Sequence, residues 1–237
     1  MSQQFTAVFV WSRNIRLFHW INVAMIFLLI VIGLIILNSK TLGVSVDGKI
    51  LLKTIHVIIG YIFALNLLVR IILGFVGKNY ERWNKILPFQ QGFTKELKTF
   101  TQGKRAFHQG HSPLGKLMVT ALFFLLSVQT ISGLVIAGTD IYYPPLGQYF
   151  AESIAIDKTD LSSIKPYSKV NVDAEAYKAM RAFRKPFITA HVYSFYALLF
   201  LIPLHIFGVV YVERKERTAI ISSMINGYKY LPRNKKE

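Results

Sequence analysis

Six histidines occur in this chain, and four of them lie within or at the ends of long apolar segments: His19, His56, His191 and His205. An ionisable side chain is costly inside a lipid bilayer and is usually functional there. Imidazole is also the commonest protein ligand for metals and a carrier of protons. The four histidines therefore predict either a metal-containing cofactor or a proton relay.

Four apolar blocks would hold these histidines, approximately at residues 17–37, 54–76, 117–137 and 187–212. A hydrocarbon layer of about 30 Å is crossed by about 20 such residues in a helix. We therefore expect an all-α fold, an integral membrane four-helix bundle that forms a single domain. The connections would include an inner loop at 77–115 and an outer loop at 139–186.

The formal charge of +16 is unevenly distributed over these connections. With both termini in the cytoplasm, seventeen Lys and Arg and five acids lie on the cytoplasmic side, against ten and seven outside. This asymmetry follows the positive-inside rule, so we expect both termini to be cytoplasmic. Attraction to anionic membrane lipid accounts for the basic excess, and a nucleic-acid partner is not expected. The absence of cysteine excludes disulfides, iron–sulfur clusters and covalently attached c-type haem.

This topology sorts the histidines into two levels: an outer pair, His56 and His191, and an inner pair, His19 and His205. His191 and His205 are fourteen residues apart, which places them on one helix face about 21 Å apart along the axis. Two imidazoles at each level can ligate a haem iron from both sides, which favours electron transfer over oxygen chemistry. Zinc is the rival metal, but it normally needs four ligands in one place, and two histidine pairs about 21 Å apart do not supply them. A haem-free transporter or channel with a histidine relay is the remaining alternative.

Other polar residues are interpreted around these levels. Arg70 and Arg16 would each bind a haem propionate or anchor the chain at lipid headgroups. Close approach to a macrocycle or a neighbouring helix is predicted at the glycines of the spans: Gly33, Gly60, Gly133 and Gly208. The turn with His111 and Ser112, before the third span, is either a solvated loop or a hydrogen-bonding site for a quinone beside the inner haem.

Several motifs of the chain together resemble the bacterial di-haem cytochrome b561 superfamily. They are Val10-Trp11, Arg16-Leu17-Phe18-His19-Trp20, His56 with Gly60-Tyr61, Arg70 with Gly74-Phe75-Val76-Gly77, and Gly110-His111-Ser112-Pro113-Leu114-Gly115. Relatives of that superfamily include the b-type membrane subunits of nickel–iron hydrogenases, respiratory formate dehydrogenases and thiosulfate reductases.

The resemblance implies a multi-pass protein of the bacterial inner membrane with two haem b groups, one held by each histidine pair. It implies electron transfer between a membrane quinone, ubiquinone or menaquinone, and an extracytoplasmic c-type cytochrome or dehydrogenase subunit. The quinone would contact His205, Arg70 and the turn at His111 and Ser112. The outer loop at 139–186 would dock the partner or form a solvated cap.

The alternative function is a self-contained superoxide:quinone oxidoreductase or ferric reductase. Basic residues of the outer loop would then steer an anion to the outer haem: Lys165, Lys169, Arg181, Arg184 and Lys185.

Overall fold

The computed structural model describes residues 5–102 and 107–232. Within these ranges the chain forms eight α-helices and two β-strands: β1 (Phe5–Phe9), α1 (Arg13–Leu37), α2 (Val46–Val76), α3 (Trp83–Ile86), α4 (Phe93–Thr101), α5 (Pro113–Asp140), α6 (Gly147–Ile154), α7 (Ala174–Glu216), α8 (Ile220–Asn226) and β2 (Tyr228–Pro232). Short 3₁₀ helices occur at Asn79–Glu81 and Leu161–Ser163. The predicted inner loop therefore contains α3 and α4, and its residues 103–106 lie outside the described ranges.

Helices α1, α2, α5 and α7 have 25, 31, 28 and 43 residues and are long and apolar enough to cross a membrane. A helix satisfies all its internal backbone groups by itself, which is the requirement for a segment in lipid. The prediction of four membrane-length helices is confirmed, and each apolar block lies within one of them. Helix α7 begins at Ala174, well before the predicted block, because its first turns are built from polar helix-forming residues.

The two terminal strands pair antiparallel, with a register that runs from Phe5 opposite Pro232 to Phe9 opposite Tyr228. The fold is mostly helical, as expected, and this strand pair is its departure from an all-α fold. Each strand is only five residues long, and its partner lies at the other end of the chain. Local sequence pattern does not reveal such a pairing, because it depends on non-local contacts.

The chain divides into two compact units. The first, here called the terminal unit, consists of Met1–Asn22, Asn66–Phe124 and Leu198–Glu237. Its core contains Val10, Trp11 and Ile15, all buried. The backbone N–H groups of Val10 and Trp11 both donate to the Gly227 carbonyl, at 2.9 and 3.2 Å, which fastens the sheet to α8.

The second, here called the middle unit, consists of Val23–Leu65 and Leu125–Ala197. Its core is built by α6, the first turns of α7 and the segment between them: Phe150, Ala151, Ile154, Ala155, Ile164 and Met180. Ile154 is fully buried there. The Asn171 amide donates to the carbonyls of Asp157 and Asp160, at 2.8 and 3.0 Å, and so orders the connecting segment. The predicted outer loop is therefore a folded element with its own core.

Candidate cofactor sites

The outer pair, His56 on α2 and His191 on α7, lies within the middle unit. The two imidazole rings have centroids 6.4 Å apart and planes inclined by 70°. A metal held between two imidazoles requires two bonds of about 2 Å plus the two ring radii, which come to about 6 Å in all. Both residues are half-buried and lie in the apolar stretches of their helices. Their separation therefore fits a metal ligated from opposite sides.

Ser132 on α5 orients the His191 ring. The Ser132 hydroxyl oxygen lies 3.0 Å from His191 Nδ1 and donates its own hydrogen to the Val128 carbonyl, at 2.5 Å. A histidine that binds a metal through Nε2 carries its proton on Nδ1, and the Ser132 hydroxyl oxygen is placed to accept that proton in a hydrogen bond. Gln129 adds a hydrogen bond to the His191 carbonyl, at 2.9 Å.

The sequence interpretation overlooked both Gln129 and Ser132. Their signal is nevertheless present, because two polar residues three positions apart share one face of an apolar helix. A buried polar group on such a helix requires a hydrogen-bond partner. In a bundle with intramembrane histidines, the histidine backbone and ring are natural partners.

Glycines lie beside the histidine rings. A Cβ atom at Gly33 would be 3.6 Å from His56 Cε1, and one at Gly133 would be 3.4 Å from His191 Cε1. At Gly60, one turn after His56, and at Gly208, one turn after His205, a Cβ atom would meet nothing within 4 Å. Open space on the helix faces that carry the histidines is what a planar macrocycle requires.

The inner pair, His19 on α1 and His205 on α7, lies within the terminal unit. The two half-buried side chains are close enough for their charges to interact. Trp20 places its ring edge-on to His19, with centroids 5.3 Å apart. His19 Nδ1 and His56 Nδ1 are buried without a hydrogen-bond partner. In residues 5–102 and 107–232 no three His, Cys, Asp or Glu side chains form a metal-binding group, so these histidines occur as pairs.

Arg70 is 2% exposed and lies inside the terminal unit instead of extending to a headgroup. Its Nη1 donates to the Glu81 carbonyl at 3.0 Å. Its guanidinium lies 4.7 Å from the Trp83 ring centroid and 5.5 Å from that of Phe123. These contacts hold a positive charge in a low-dielectric setting by cation–π attraction and hydrogen bonding.

Arg16 donates to the Ile225 carbonyl, and the Trp20 indole N–H donates to the Met224 carbonyl at 2.8 Å. Both acceptors belong to the last turn of α8, whose carbonyls have no partners within the helix. The cation also suits the negative end of that helix. Arg16 therefore fastens α1 to α8 through Nη1, while its Nε is buried without a hydrogen-bond partner, and its role at a haem propionate stays a prediction.

Ser112 caps the N-terminus of α5. Its hydroxyl oxygen accepts the Gly115 N–H at 3.2 Å, and its carbonyl accepts the Lys116 N–H at 2.8 Å. Such a cap satisfies helix donors that otherwise lack partners. The Ser112 hydroxyl hydrogen remains available to a ligand.

His111 stacks obliquely on Trp11, with ring centroids 5.0 Å apart. His111 Nδ1 and Trp11 Nε1 are both buried without a hydrogen-bond partner. Burial, with the nearby charges of Lys229 and His205 as smaller causes, lowers the pKa of His111 to about 3. The ring is therefore a neutral imidazole at physiological pH.

Lys229, on β2, was not recognised from the sequence. It is 6% exposed, and its ammonium donates to the carbonyls of Gly110 and His108, at 2.8 and 3.3 Å. Burial lowers the pKa of Lys229 to about 8, opposed by the Glu216 carboxylate. The C-terminal strand thus places a buried amine against the turn that carries His111.

The remaining loop histidine, His108, lies 3.4 Å from the Glu96 carboxylate, which also pairs with Lys116 at 3.1 Å. It belongs to the contact between α4 and the start of α5, and neither histidine pair includes it.

Comparison with known proteins gives matches over most of the chain. A family model described as prokaryotic cytochrome b561 matches residues 10–227. A probable Ni/Fe-hydrogenase B-type cytochrome subunit of Rhizobium leguminosarum bv. viciae is 27% identical, over 93% of this chain and 88% of the relative. The protein of the same description from Cupriavidus necator is 22% identical, over 94% and 87% of the two chains. No solved structure matches.

Proposed function

The chain belongs to the prokaryotic cytochrome b561 family, whose members are membrane b-type cytochromes that carry electrons, and from this premise we propose a di-haem path. One haem b is held by His56 and His191, and a second by His19 and His205. Electrons pass between a membrane quinone and an extracytoplasmic redox partner. The observation that carries the proposal is the 6.4 Å separation of the His56 and His191 rings.

Haem b supplies a one-electron carrier at each histidine pair. The side chains would do the rest: two imidazoles would hold each haem iron and so favour electron transfer over oxygen chemistry. Ser132 holds His191 in the tautomer that presents Nε2. The apolar helices keep water away, and α7 contributes one ligand to each pair.

The proposed location is the bacterial cytoplasmic membrane, with both termini on the cytoplasmic side. Support comes from the charge distribution, with seventeen Lys and Arg against five acids on the side of the termini.

The proposed quinone site lies within the terminal unit, at the turn with His111 and Ser112. The unpartnered His111 Nδ1 and the free hydrogen of the Ser112 hydroxyl support it. A quinone headgroup presents two carbonyl oxygens, and a quinol presents two hydroxyls, so neutral donors and acceptors suit both. His205, which lies near enough to His111 to act on it electrostatically, is the proposed ligand of the adjacent haem.

The proposed partner is a catalytic dehydrogenase subunit outside the cytoplasm. Two relatives from different bacteria bear the description of Ni/Fe-hydrogenase B-type cytochrome subunits, which names an enzyme of which they are part. The folded segment around Ile154 and Met180 offers a pre-formed surface for such a subunit. A c-type cytochrome is the other partner class for the same surface.

We expect two b-type haems per chain in the purified full-length protein. Pyridine haemochrome analysis against protein concentration measures the ratio, and a redox titration followed optically should resolve two one-electron steps. One haem per chain, or none after haem-replete expression, contradicts the proposal.

Replacing Ser132 with alanine should raise the midpoint potential of the outer haem alone. A hydrogen bond from Nδ1–H makes the ligand more electron-donating and so favours ferric iron. One net hydrogen bond corresponds to roughly 20–60 mV for a one-electron couple. Thr130→Ala is the matched control, since Thr130 on the same helix bonds only the Leu126 carbonyl, at 2.9 Å. Equal shifts in both variants would argue against a ligand-orienting role for Ser132.

A further inference from the structure

Three charged side chains of the middle unit meet at the end of α5. Asp140 accepts a hydrogen bond from Arg184 Nη1 on its Oδ1, at 2.6 Å, and pairs with Lys53 through its Oδ2. Arg184 Nη1 also donates to the Thr139 carbonyl at 2.9 Å, and Lys53 donates to the Tyr167 hydroxyl at 2.6 Å. The cluster therefore joins α2, α5 and α7.

The cluster carries one carboxylate for two cations. The side chains of Lys53, Asp140 and Arg184 are 17%, 19% and 10% exposed, so solvent compensates the excess charge poorly. Among the described residues, no acidic side chain other than Asp140 forms an ion pair with either cation. A second anion would complete the arrangement.

Donors for such an anion are present. Arg184 Nε is buried without a hydrogen-bond partner, and an unpaired buried donor is costly. The Lys53 ammonium has three hydrogens, and the structure engages two of them. Each cation thus retains a donor that Asp140 does not use.

The cations also share helix faces with the outer histidines. Lys53 precedes His56 by three residues and Arg184 precedes His191 by seven, which are about one and two helical turns. The net positive cluster therefore lies on the faces of α2 and α7 that carry both ligands of the outer pair.

We propose that Arg184 and Lys53, held in place by Asp140, form the carboxylate-binding site for a propionate of the outer haem. The inference rests on the proposed function, because it requires a haem between His56 and His191. The ligand chemistry is a carboxylate that accepts charge-assisted hydrogen bonds from a guanidinium and an ammonium. Arg184, which would steer a soluble anion under the alternative function, is buried in the structure and belongs to this site.

The test compares protohaem with its dimethyl ester, which lacks both carboxylates. The full-length protein, stripped of haem and reconstituted with either form, is challenged with excess apomyoglobin, and the transfer of haem is followed optically. From the wild type, we expect the ester to leave the outer site roughly tenfold faster than protohaem does. Arg184→Gln and Lys53→Gln should speed the loss of protohaem by a similar factor and leave the loss of the ester unchanged.

Lys185→Gln is the matched control, because Lys185 is the exposed neighbour of Arg184 in sequence. It should retain protohaem like the wild type, and Arg184→Lys should restore part of the retention. Redox titration gives an independent readout: the outer haem potential should fall in Arg184→Gln and rise in Asp140→Asn, because the two changes remove opposite charges.

A clamp that only joins helices gives a different pattern. The variants would then speed the loss of the ester as much as that of protohaem, and this result overturns the proposal. If Arg184→Gln does not fold, the wild type alone decides: equal retention of protohaem and its dimethyl ester overturns the proposal. If His56→Ala leaves the outer haem in place, the proposed function itself fails. If His56→Ala removes that haem but the wild type loses protohaem and its dimethyl ester equally fast, only this inference fails.

Discussion

Replacing His56 with alanine is expected to remove one of two haems, and replacing His19 with alanine is expected to remove the other. Each substitution would take away one of the two imidazoles proposed to hold that haem, and the single imidazole left would hold it more weakly. The haem-to-protein ratio should fall from about two to about one in each variant, as the ligand count requires. Pyridine haemochrome assay measures the ratio, and low-temperature EPR identifies which ferric signal is lost.

The proposed histidine pairs also predict which substitutions should remove the same haem. His191→Ala should lose the EPR signal that His56→Ala loses, because their rings face one another at 6.4 Å. His205→Ala should likewise match His19→Ala. His108→Ala is the control, since His108 pairs with Glu96 and should leave both haems in place. Loss of the same signal in His56→Ala and His19→Ala would mean that the histidines are paired wrongly.

The four long helices were predictable because their signal is local. Each apolar block exceeds the length that crosses a bilayer, and neither loop packing nor partner choice changes that. The expected grouping of the histidines is also local in origin. The position of a residue along a membrane helix sets its depth in the bilayer, and successive helices cross the bilayer in opposite directions. The His56 and His191 rings lie with their centroids 6.4 Å apart.

The orientation of the ligands was not predictable in the same way. Depth in the membrane follows from residue number, but the partner of a ring nitrogen depends on how neighbouring helices are rotated. Ser132 reaches His191 only because α5 turns that face towards α7. The Lys53–Asp140–Arg184 cluster has the same origin, since its members come from three helices and none is unusual in sequence.

The terminal unit illustrates a longer-range limit. Lys229 lies between Tyr228 and Tyr230 in a strand of five residues, a segment for which the sequence predicted no element. Its burial depends on β1, at the other end of the chain, and on the carbonyls of the turn before α5. Contacts between such distant segments leave no local periodicity, which is why the sheet and the buried amine were both missed.

Arg70 was expected either to bind a haem propionate or to anchor the chain at lipid headgroups. Its guanidinium lies buried among Phe18, Trp83 and Phe123, where the contacts are with aromatic rings. Its charge reaches His111, in the turn proposed to bind quinone. A role at the inner haem propionate stays a prediction.

Replacing His111 with leucine is expected to slow quinol-driven haem reduction by about a hundredfold, the scale for loss of a positioned hydrogen-bonding or proton-transfer group. Leucine fills much of the imidazole volume but cannot bond a quinol hydroxyl. Stopped-flow reduction by a soluble quinol analogue measures the rate, and a pyridine haemochrome assay verifies that both haems remain. Dithionite, which needs no quinone site, should reduce variant and wild type equally fast.

The pH profile separates a neutral hydrogen-bond partner from a titrating base. Because burial lowers the pKa of His111 to about 3, its protonated form is lost well below neutrality and the ring stays neutral above that value. The wild-type rate should therefore have no step between pH 5 and 8 that disappears in His111→Leu. A step that vanishes with the substitution would show a titrating imidazole exposed to water. An unchanged quinol rate in His111→Leu would place the quinone elsewhere, and the Ser112 hydroxyl would lose its proposed ligand with it.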